Sequence, residues 1–572
     1  MDYTIKIGGS AGQGLQTIGD TLAKVLARSG YHVFSHQDYE SRIRGGHNFY
    51  QIRFSDGPVM SSRKNIDLLV ALDSETISRH SSELSDKGLV IYDPDTLKVN
   101  HESPSFLGIS FLKLAIEYGG DRVMENTVAT GAVLGIIGID ISFITDLLRE
   151  AFERKSNEII SANIKAATAG YDYAIKNCSH RLFDAKIAAA RKLLISGIDA
   201  LALGCISSGL KFYSAYPMTP STGIMNYISA HSSEFGVIVE QAEDEIAAIN
   251  MAIGASFGGI RAMTGTSGGG FALMVEGLSL AAMTETPIVI ALGQRPGPAT
   301  GLPTRTEQGD LQFALHAAHG EFPRVILAPG SPEQAFHAAG KAFDLSEKYQ
   351  IPAIIIFDQY LADCQWTLED LDTGMIAYRD YRIRENDFKA LSHYKRHEFT
   401  ETGVSPLAVP GDAQHIVITD SDEHDENGHI NEDAEIRRKM LDKRLFKKMP
   451  LVRKEISFPQ LYGDINPAIV LTGWGSTYGL MKETVDVLSN KYGIAMLHFS
   501  ELYPFPDLKT GGILKLLSEA KVSICIENNA GSQFARLMKT ETGYDFRHSI
   551  NRYDGRPFLL DELIGEIEDV IG

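Results

Sequence analysis

Closely spaced cysteines are missing from this chain. The four present, Cys178, Cys205, Cys364 and Cys525, lie 27, 159 and 161 positions apart. With no CxxC or comparable run, neither a zinc ribbon nor a cysteine-held cluster is expected here. A cationic excess is missing too. Lys and Arg number 54 against 73 Asp and Glu, and the resulting net charge of −19 argues against nucleic acid or an anionic membrane as the main partner. The longest apolar run, around Thr127–Ile139, is too short and too glycine-rich to span a bilayer. The opening MDYTIKIGGS reads as a strand rather than a secretory leader, so the expected location is the cytoplasm. What remains is an ordinary globular composition, 44% apolar and 22% charged. At 572 residues it is too long for one core, and domain-size statistics give roughly three to four domains.

Strand and helix periods alternate over residues 1–180, from YTIKIGG and GLQTIGDTLAKVLARSG onward, which predicts a largely parallel, doubly wound α/β domain. A second α/β domain spans about 195–365, with KFYSAYP, GVIVEQ, IRAMTGT, PIVIALGQ, RVILAPG and AIIIFDQ as strands. Residues 366–450 differ in kind. They are polar, have few strand signals, and carry one charged helix near Glu432–Lys448, an ordered excursion. A third α/β domain occupies 451–572, with AIVLTGWGS, IAMLHFSE and VSICIENN as strands. The acidic run DSDEHDENGHINE invites a calcium reading. With Gly428 as the turn glycine, however, the twelfth loop position falls on Ala434, where a bidentate Glu is required, so no metal is expected.

The densest chemistry lies between Tyr216 and Asp310. There, three successive strand-turn-helix units carry polar residues at the strands' carboxyl ends, the edge where open α/β sheets bind ligands. In YPMTPST, Pro217 and Pro220 stiffen the segment and present Thr219, whose hydroxyl suits a substrate oxygen as well as a plain helix cap. In VEQAEDEIAAINMAIGAS, acidic residues open an alanine-rich helix, where capping and catalysis are both open readings. GTSGGGF is a glycine-rich turn with paired hydroxyls. Arg295 closes a buried strand and Arg305 follows ten residues on, and a guanidinium at such an end suits a carboxylate. Outside this region, Gly12, Gln13 and Gly14 of GGSAGQG sit between a strand and a helix, where bared N–H groups suit a phosphate. Their spacing departs from G-x-G-x-x-G, and a tight turn without ligand accounts for them equally well. Arg42 and Arg44 of SRIRGGHNF suit an anion or an exposed cationic hairpin.

Taken together, GGSAGQG, SRIRGGHNF, YPMTPST, EHDENGHINED and ENNAGSQFARLMKTETG resemble the 2-oxoacid:ferredoxin oxidoreductases, specifically an α subunit with the γ domain fused at its N-terminus. The resemblance covers essentially the whole chain, with Met218 where the family pattern YPITPS has Ile. It implies three doubly wound domains: a γ-type domain, a thiamine-pyrimidine-binding domain and a transketolase C-terminal-like domain. Residue by residue, it assigns the aminopyrimidine of thiamine diphosphate to Glu245, and Thr266, Ser267 and Gly268 to the same cofactor. Thr219 and Arg295 would hold the keto group and carboxylate of a 2-oxoacid, within a segment including Tyr216 and Pro217, and Arg305 is a second candidate. Coenzyme A is expected near Gly12, Gln13, Gly14, Arg42 and Arg44. The family's diphosphate and Mg²⁺ motif, GDG, occurs nowhere here, and the cysteines for a [4Fe-4S] cluster are missing. A separate β subunit should supply both, in an (αβ)₂ assembly that passes electrons to ferredoxin. The EHDE-G-HI segment looks most like enzymes making succinyl-CoA from 2-oxoglutarate. Pyruvate or branched-chain oxoacids, a non-redox thiamine enzyme, and a nucleotide-binding module on GGSAGQG are the competing readings.

Overall fold

A computed structural model describes residues 1–42, 45–178, 190–376, 378–388, 393–412 and 415–572 of the chain. Two compact units result. One comprises Met1–Ile195, Asp363–Leu371 and Phe558–Gly565; the other comprises Ser196–Ala362, Asp372–Pro557 and Glu566–Gly572.

The first unit is built on an eight-stranded sheet. Its strands are β1 (Asp2–Ala11), β2 (His32–Asp38), β3 (Gly45–Ser55), β4 (Ile66–Ala71), β5 (Leu84–Tyr92), β6 (Phe106–Gly108), β7 (Leu193–Ser196) and, from much later, β14 (Gln365–Leu368), in the order β6-β5-β4-β1-β3-β2-β14-β7. The expectation of a largely parallel sheet holds only on one side. β1, β4, β5 and β6 run parallel, but β3 is antiparallel to both β1 and β2, and β14 is antiparallel to β2. The reason is local: positions 39–44 between β2 and β3 are too few for the crossover that parallel pairing requires. β14 also corrects the polar reading of 366–450, whose first residues extend this sheet with Trp366 packed edge-on against Phe34.

Helix α1 (Leu15–Arg28) forms as its apolar spacing dictates, burying Leu15, Ile18, Leu22, Val25 and Leu26 along one stripe. The apolar run near Thr127 becomes α2 (Glu125–Ile137), packed on α3 (Asn157–Asn177). A Cβ on Gly131 would stand 2.0 Å from the Ala167 carbonyl oxygen, which explains the glycine content of that run. Among the described residues no helix is long and apolar enough to cross a membrane.

The second unit holds two sheets. Parallel strands β8 (Leu210–Ala215), β9 (Ile238–Gln241), β10 (Arg261–Ser267), β11 (Ile288–Gln294), β12 (Val325–Leu327) and β13 (Pro352–Asp358) are the six expected from sequence. The order is β18-β12-β13-β11-β10-β8-β9, and the seventh strand, β18 (Glu501–Tyr503), is antiparallel and comes from the region read as a third domain. The other sheet has β15 (Gln460–Gly463), β16 (Ile469–Trp474), β17 (Ile494–Phe499), β19 (Val522–Glu527) and β20 (His548–Asn551). Ile290, Leu292, Ile354 and Ile356 of the first share one apolar core with Val470, Trp474, Leu497 and Phe499 of the second, so the two sheets form a single unit.

The charged helix begins at Ala434, capped by Asp433, and continues through a wide turn at Asp442–Lys447 to Glu455, so a division at 450 falls inside it. The excursion is less solvated than its composition suggests. Glu285 is fully buried and receives Lys443 (2.5 Å), Lys448 and His397 (3.1 Å), while buried Arg396 caps the carbonyls of Thr284 and Glu285. The acidic run folds into turns. Asp425 accepts from the backbone of Asn427 and His429, and Glu423 pairs with Arg437 and Arg444.

Candidate active site

β9 lies on one side of β8 and β10 on the other, so the chain reverses its direction of winding between β8 and β10. Such a switch point opens a crevice at the carboxyl ends of the strands. The segments after β8, β9, β10 and β11 all emerge at that edge, and they carry the residues singled out from sequence.

After β9, Asp244 caps helix α4 (Glu245–Phe257) by accepting from the Ala247 N–H at 2.8 Å, which places Glu245 at the first helical position. Capping therefore falls to Asp244, leaving Glu245 for other work. Its side chain is 5% exposed, and no hydrogen bond or ion pair among the described residues engages the carboxylate. A charge buried without a protein partner is costly. The carboxylate faces helix α5 (Gly268–Leu273): a Cβ on Gly270 would stand 2.4 Å from Glu245 Oε1 and 2.0 Å from Thr266 Oγ1. Glycine at 270 is what lets the acid and the hydroxyl converge. Next to them Ser267 is completely buried, and its hydroxyl has no hydrogen-bond partner.

After β8, the Thr219 carbonyl accepts a hydrogen bond from Arg295 Nη1 at 3.1 Å, across from the end of β11. Tyr216 is exposed, whereas Pro217 and Thr219 are half-buried. Arg305 lies farther along the loop after β11, with its Cβ and Cγ against Gly555, and the Thr306 N–H reaches the Gly555 carbonyl.

Sequence reasoning passed over Asp310, which ends the same stretch. Its N–H donates to Gln294 Oε1 at 3.0 Å, and its carboxylate lies against Gly268, 2.6 Å from where a Cβ would stand. Burial, assisted by Glu307 and opposed by Arg295, pushes its carboxyl up to about 6. Burial likewise lowers the Arg295 guanidinium, with Asp310 opposing. The loop is anchored by amides from the other sheet. Gln308 exchanges hydrogen bonds with the Asn528 backbone, and Gln533 donates to the Gly309 carbonyl at 2.6 Å. These amides come from ENNAGSQ, a motif noted in sequence but without a structural role there.

In the first unit, Gly12 and Gly14 take left-handed conformations before α1 and line a crevice of about 570 Å³. Gln13 is turned back on the loop, accepting from the Ser10 N–H at 2.6 Å and donating to the Leu72 carbonyl. Arg42 is largely exposed and pairs with Glu40 at 3.0 Å, and the crevice also carries Asp38 and Asp363. Its walls are more acidic than a phosphate site suggested by sequence would be. Arg44 lies outside the described residues.

Two family models match the chain: pyruvate ferredoxin/flavodoxin oxidoreductase over residues 4–173, and the thiamine diphosphate-binding part of pyruvate flavodoxin/ferredoxin oxidoreductase over residues 203–443. A 2-oxoacid:ferredoxin oxidoreductase subunit alpha from Sulfolobus sp. is 34% identical, the alignment covering 97% of this chain and 95% of the relative. The 2-oxoglutarate oxidoreductase subunit KorA of Mycobacterium tuberculosis is 29% identical, with 98% and 90% covered. The fold is also similar to that of 2-oxoglutarate:ferredoxin oxidoreductase from Magnetococcus marinus, solved with 2-oxoglutarate, coenzyme A and succinyl-CoA bound. That comparison has a TM-score of 0.91 at 29% identity and covers all of both chains.

Proposed function

The chain belongs to the 2-oxoacid:ferredoxin oxidoreductase α subunits, and from that premise we propose that Glu245, Thr219 and Arg295 carry its share of catalysis, with 2-oxoglutarate as substrate. The family is an oxidoreductase family with a thiamine diphosphate-binding domain. Residues at the crevice fit that cofactor: the buried Glu245 carboxylate, which no hydrogen bond or ion pair among the described residues engages, converges with the Thr266 hydroxyl over Gly270, and the next residue, Ser267, has a buried hydroxyl without a partner. When bound, thiamine diphosphate supplies a nucleophilic carbon and a sink for the electrons released on decarboxylation. Glu245 would hold a proton at the pyrimidine ring nitrogen, keeping the aminopyrimidine in its imino form. Thr266, Ser267 and the Gly268 backbone would line the ring. Arg295, fixed by the Thr219 carbonyl, would pair with the oxoacid carboxylate, and the Thr219 hydroxyl would steady its keto oxygen.

Support for 2-oxoglutarate comes from the KorA relative and from the ligands of the M. marinus enzyme, and succinyl-CoA would be the product. The Sulfolobus relative is named for 2-oxoacids in general, which favours pyruvate or a branched-chain acid as the second reading. A β subunit would bring Mg²⁺, the diphosphate site and the [4Fe-4S] cluster, in an (αβ)₂ assembly serving ferredoxin. Exposed apolar side chains on the two helices that open at the site would suit such a partner: Ile246 is 50% exposed, Met251 37% and Leu273 51%. Coenzyme A would reach the first unit near Gly12, Gly14, Arg42 and Arg44.

The unpartnered Glu245 carboxylate beside Gly270 carries this reading. Glu245→Gln in the purified complex should leave folding intact and lower turnover by about 3–4 kcal/mol in barrier, the range seen when one preorganised hydrogen-bonding group is removed. Near-normal activity would take Glu245 out of the mechanism. Assaying each oxoacid with the unaltered complex and coenzyme A decides the substrate.

A further inference from the structure

Asp310 is held in place by everything except its own carboxylate. Its N–H is fixed to Gln294, the residue before Arg295. The residues around it are pinned from the other sheet: Gln308 donates to the Trp474 carbonyl at 2.8 Å, and Gln312 donates twice to Gln533, from its N–H and from its side-chain amide, at 2.9 Å each. In a loop tied this thoroughly, the Asp310 carboxylate makes no hydrogen bond or ion pair among the described residues. Both its oxygens lie within 2.8 Å of a Cβ position on Gly268, so it faces the start of α5 and the crevice there.

The charges around it are unbalanced. Glu307, on its own loop, stands beside it as a second anion. From the segment after β11 comes Arg295, the cation that opposes them; the contacts from the helix Gln533–Thr542 are made by the neutral Gln533. A substrate carboxylate on Arg295 adds a further anion to this enclosure. Two ionised carboxylates sharing one site disfavour each other, and one of them takes up a proton.

We infer that Asp310 is a positioning residue that must be protonated for a 2-oxoacid carboxylate to settle on Arg295, so that binding of the oxoacid takes up a proton at this side chain. This rests on the reading that Arg295 receives the oxoacid carboxylate. Burial already brings the Asp310 carboxyl to about 6, so the proton is within reach at neutral pH. Above that value the ionised form competes with substrate for Arg295. KM for the oxoacid should then rise with pH, up to about tenfold per unit, while kcat at saturation changes little. A neutral, isosteric amide removes the competition.

The test uses the assembled enzyme with its partner subunit, measured from pH 5.5 to 8.5. Asp310→Asn should give a KM for the oxoacid that is flat with pH and at least about tenfold below the unaltered enzyme at pH 8.5, where ionised Asp310 competes most. KM for coenzyme A should be unmoved. Should the variant fail to fold, the unaltered enzyme still answers: calorimetric binding of oxamate, an unreactive oxoacid mimic, in buffers of different ionisation enthalpy should register proton uptake at pH 7.5. A variant that keeps the parental pH slope, or oxamate binding without proton uptake, would overturn the inference. Arg295→Met separates the two ideas. If it leaves the oxoacid KM unchanged, the assignment of Arg295 fails; if it raises KM while Asp310→Asn does nothing, only the role of Asp310 fails.

Discussion

Gly270→Ala tests the site geometry without touching a charged residue. Two effects oppose each other in stability. Alanine is favoured over glycine within a helix by about 1 kcal/mol. The new methyl, however, would stand 2.0 Å from Thr266 Oγ1 and 2.4 Å from Glu245 Oε1, far inside contact distance. Relieving such overlap in a packed interior costs about 1–3 kcal/mol. The net loss is therefore about 0–2 kcal/mol, a Tm lower by roughly 0–3 °C for a unit of this size. Activity should fall far more. The easiest relief is withdrawal of the carboxylate by about 1 Å, and a misplacement of that size costs on the order of 100-fold in rate. Exposed Gly565, in the helix Leu560–Ile571, has nothing within 4 Å of its Cβ position and isolates the helix effect. Gly565→Ala should gain about 0.5–1 kcal/mol and leave turnover alone. The assay is oxoacid-dependent reduction of a viologen dye by the assembled enzyme, alongside thermal unfolding of each variant. Turnover in Gly270→Ala within a few-fold of the parent would show that the position of the Glu245 carboxylate does not limit catalysis.

Glu285→Ala should be the most destabilising single change in the excursion, costing about 3–5 kcal/mol in urea unfolding, because it strands buried Lys443 and Lys448 without their counter-charge. Burial raises the Glu285 carboxyl, but Lys443, Lys448 and His397 outweigh it and hold it well below the usual range. Its stabilisation is thus complete above the unfolded carboxyl pKa near 4.5 and fades as pH falls through the folded value. The variant should accordingly lose much of the parent's acid sensitivity in that window, as read by Tm against pH. In the first unit, Arg42→Ala with Arg44→Ala should weaken coenzyme A and spare CoA-independent reduction by the oxoacid. Stability should change by less than about 1 kcal/mol, as expected for an exposed ion pair such as Arg42–Glu40. Unchanged coenzyme A affinity would leave these arginines a surface role.

Much of the candidate edge was legible because it is written locally. The strand-to-helix turns put Thr219, the acids around Asp244 and Arg295 at one edge, whereas the choice of Glu245 among those acids came from the family resemblance. What escaped depends on pairing between distant segments. Asp310 looked like one more polar loop residue, since its fixation rests on Gln294 and its burial on Gly268. The antiparallel half of the first sheet was hidden because strand direction is decided by the connection, whereas residue type alone does not reveal it. β14 was lost in a polar stretch, and pairing with its neighbours β2 and β7 is what makes four residues into a strand. Similarly, Lys443 and Lys448 lie in a run with the composition of a solvated face. They are buried because one carboxylate, 158 and 163 positions earlier, receives both.

The discontinuous make-up of the first unit has a consequence for its synthesis. β2 is complete after residue 38, yet the strand that covers its edge, β14, begins at residue 365. At ribosomal rates of about 5–20 residues per second, that edge stays bare for roughly 15–65 s after β2 has emerged. Later still come Leu560, bonded to Ser62, and Asp561, bonded to Lys64. A bare strand edge is a template for wrong pairing. The nascent chain therefore carries this open edge while most of the second unit is still being made, and expression yield should depend on what shields β2 during that wait.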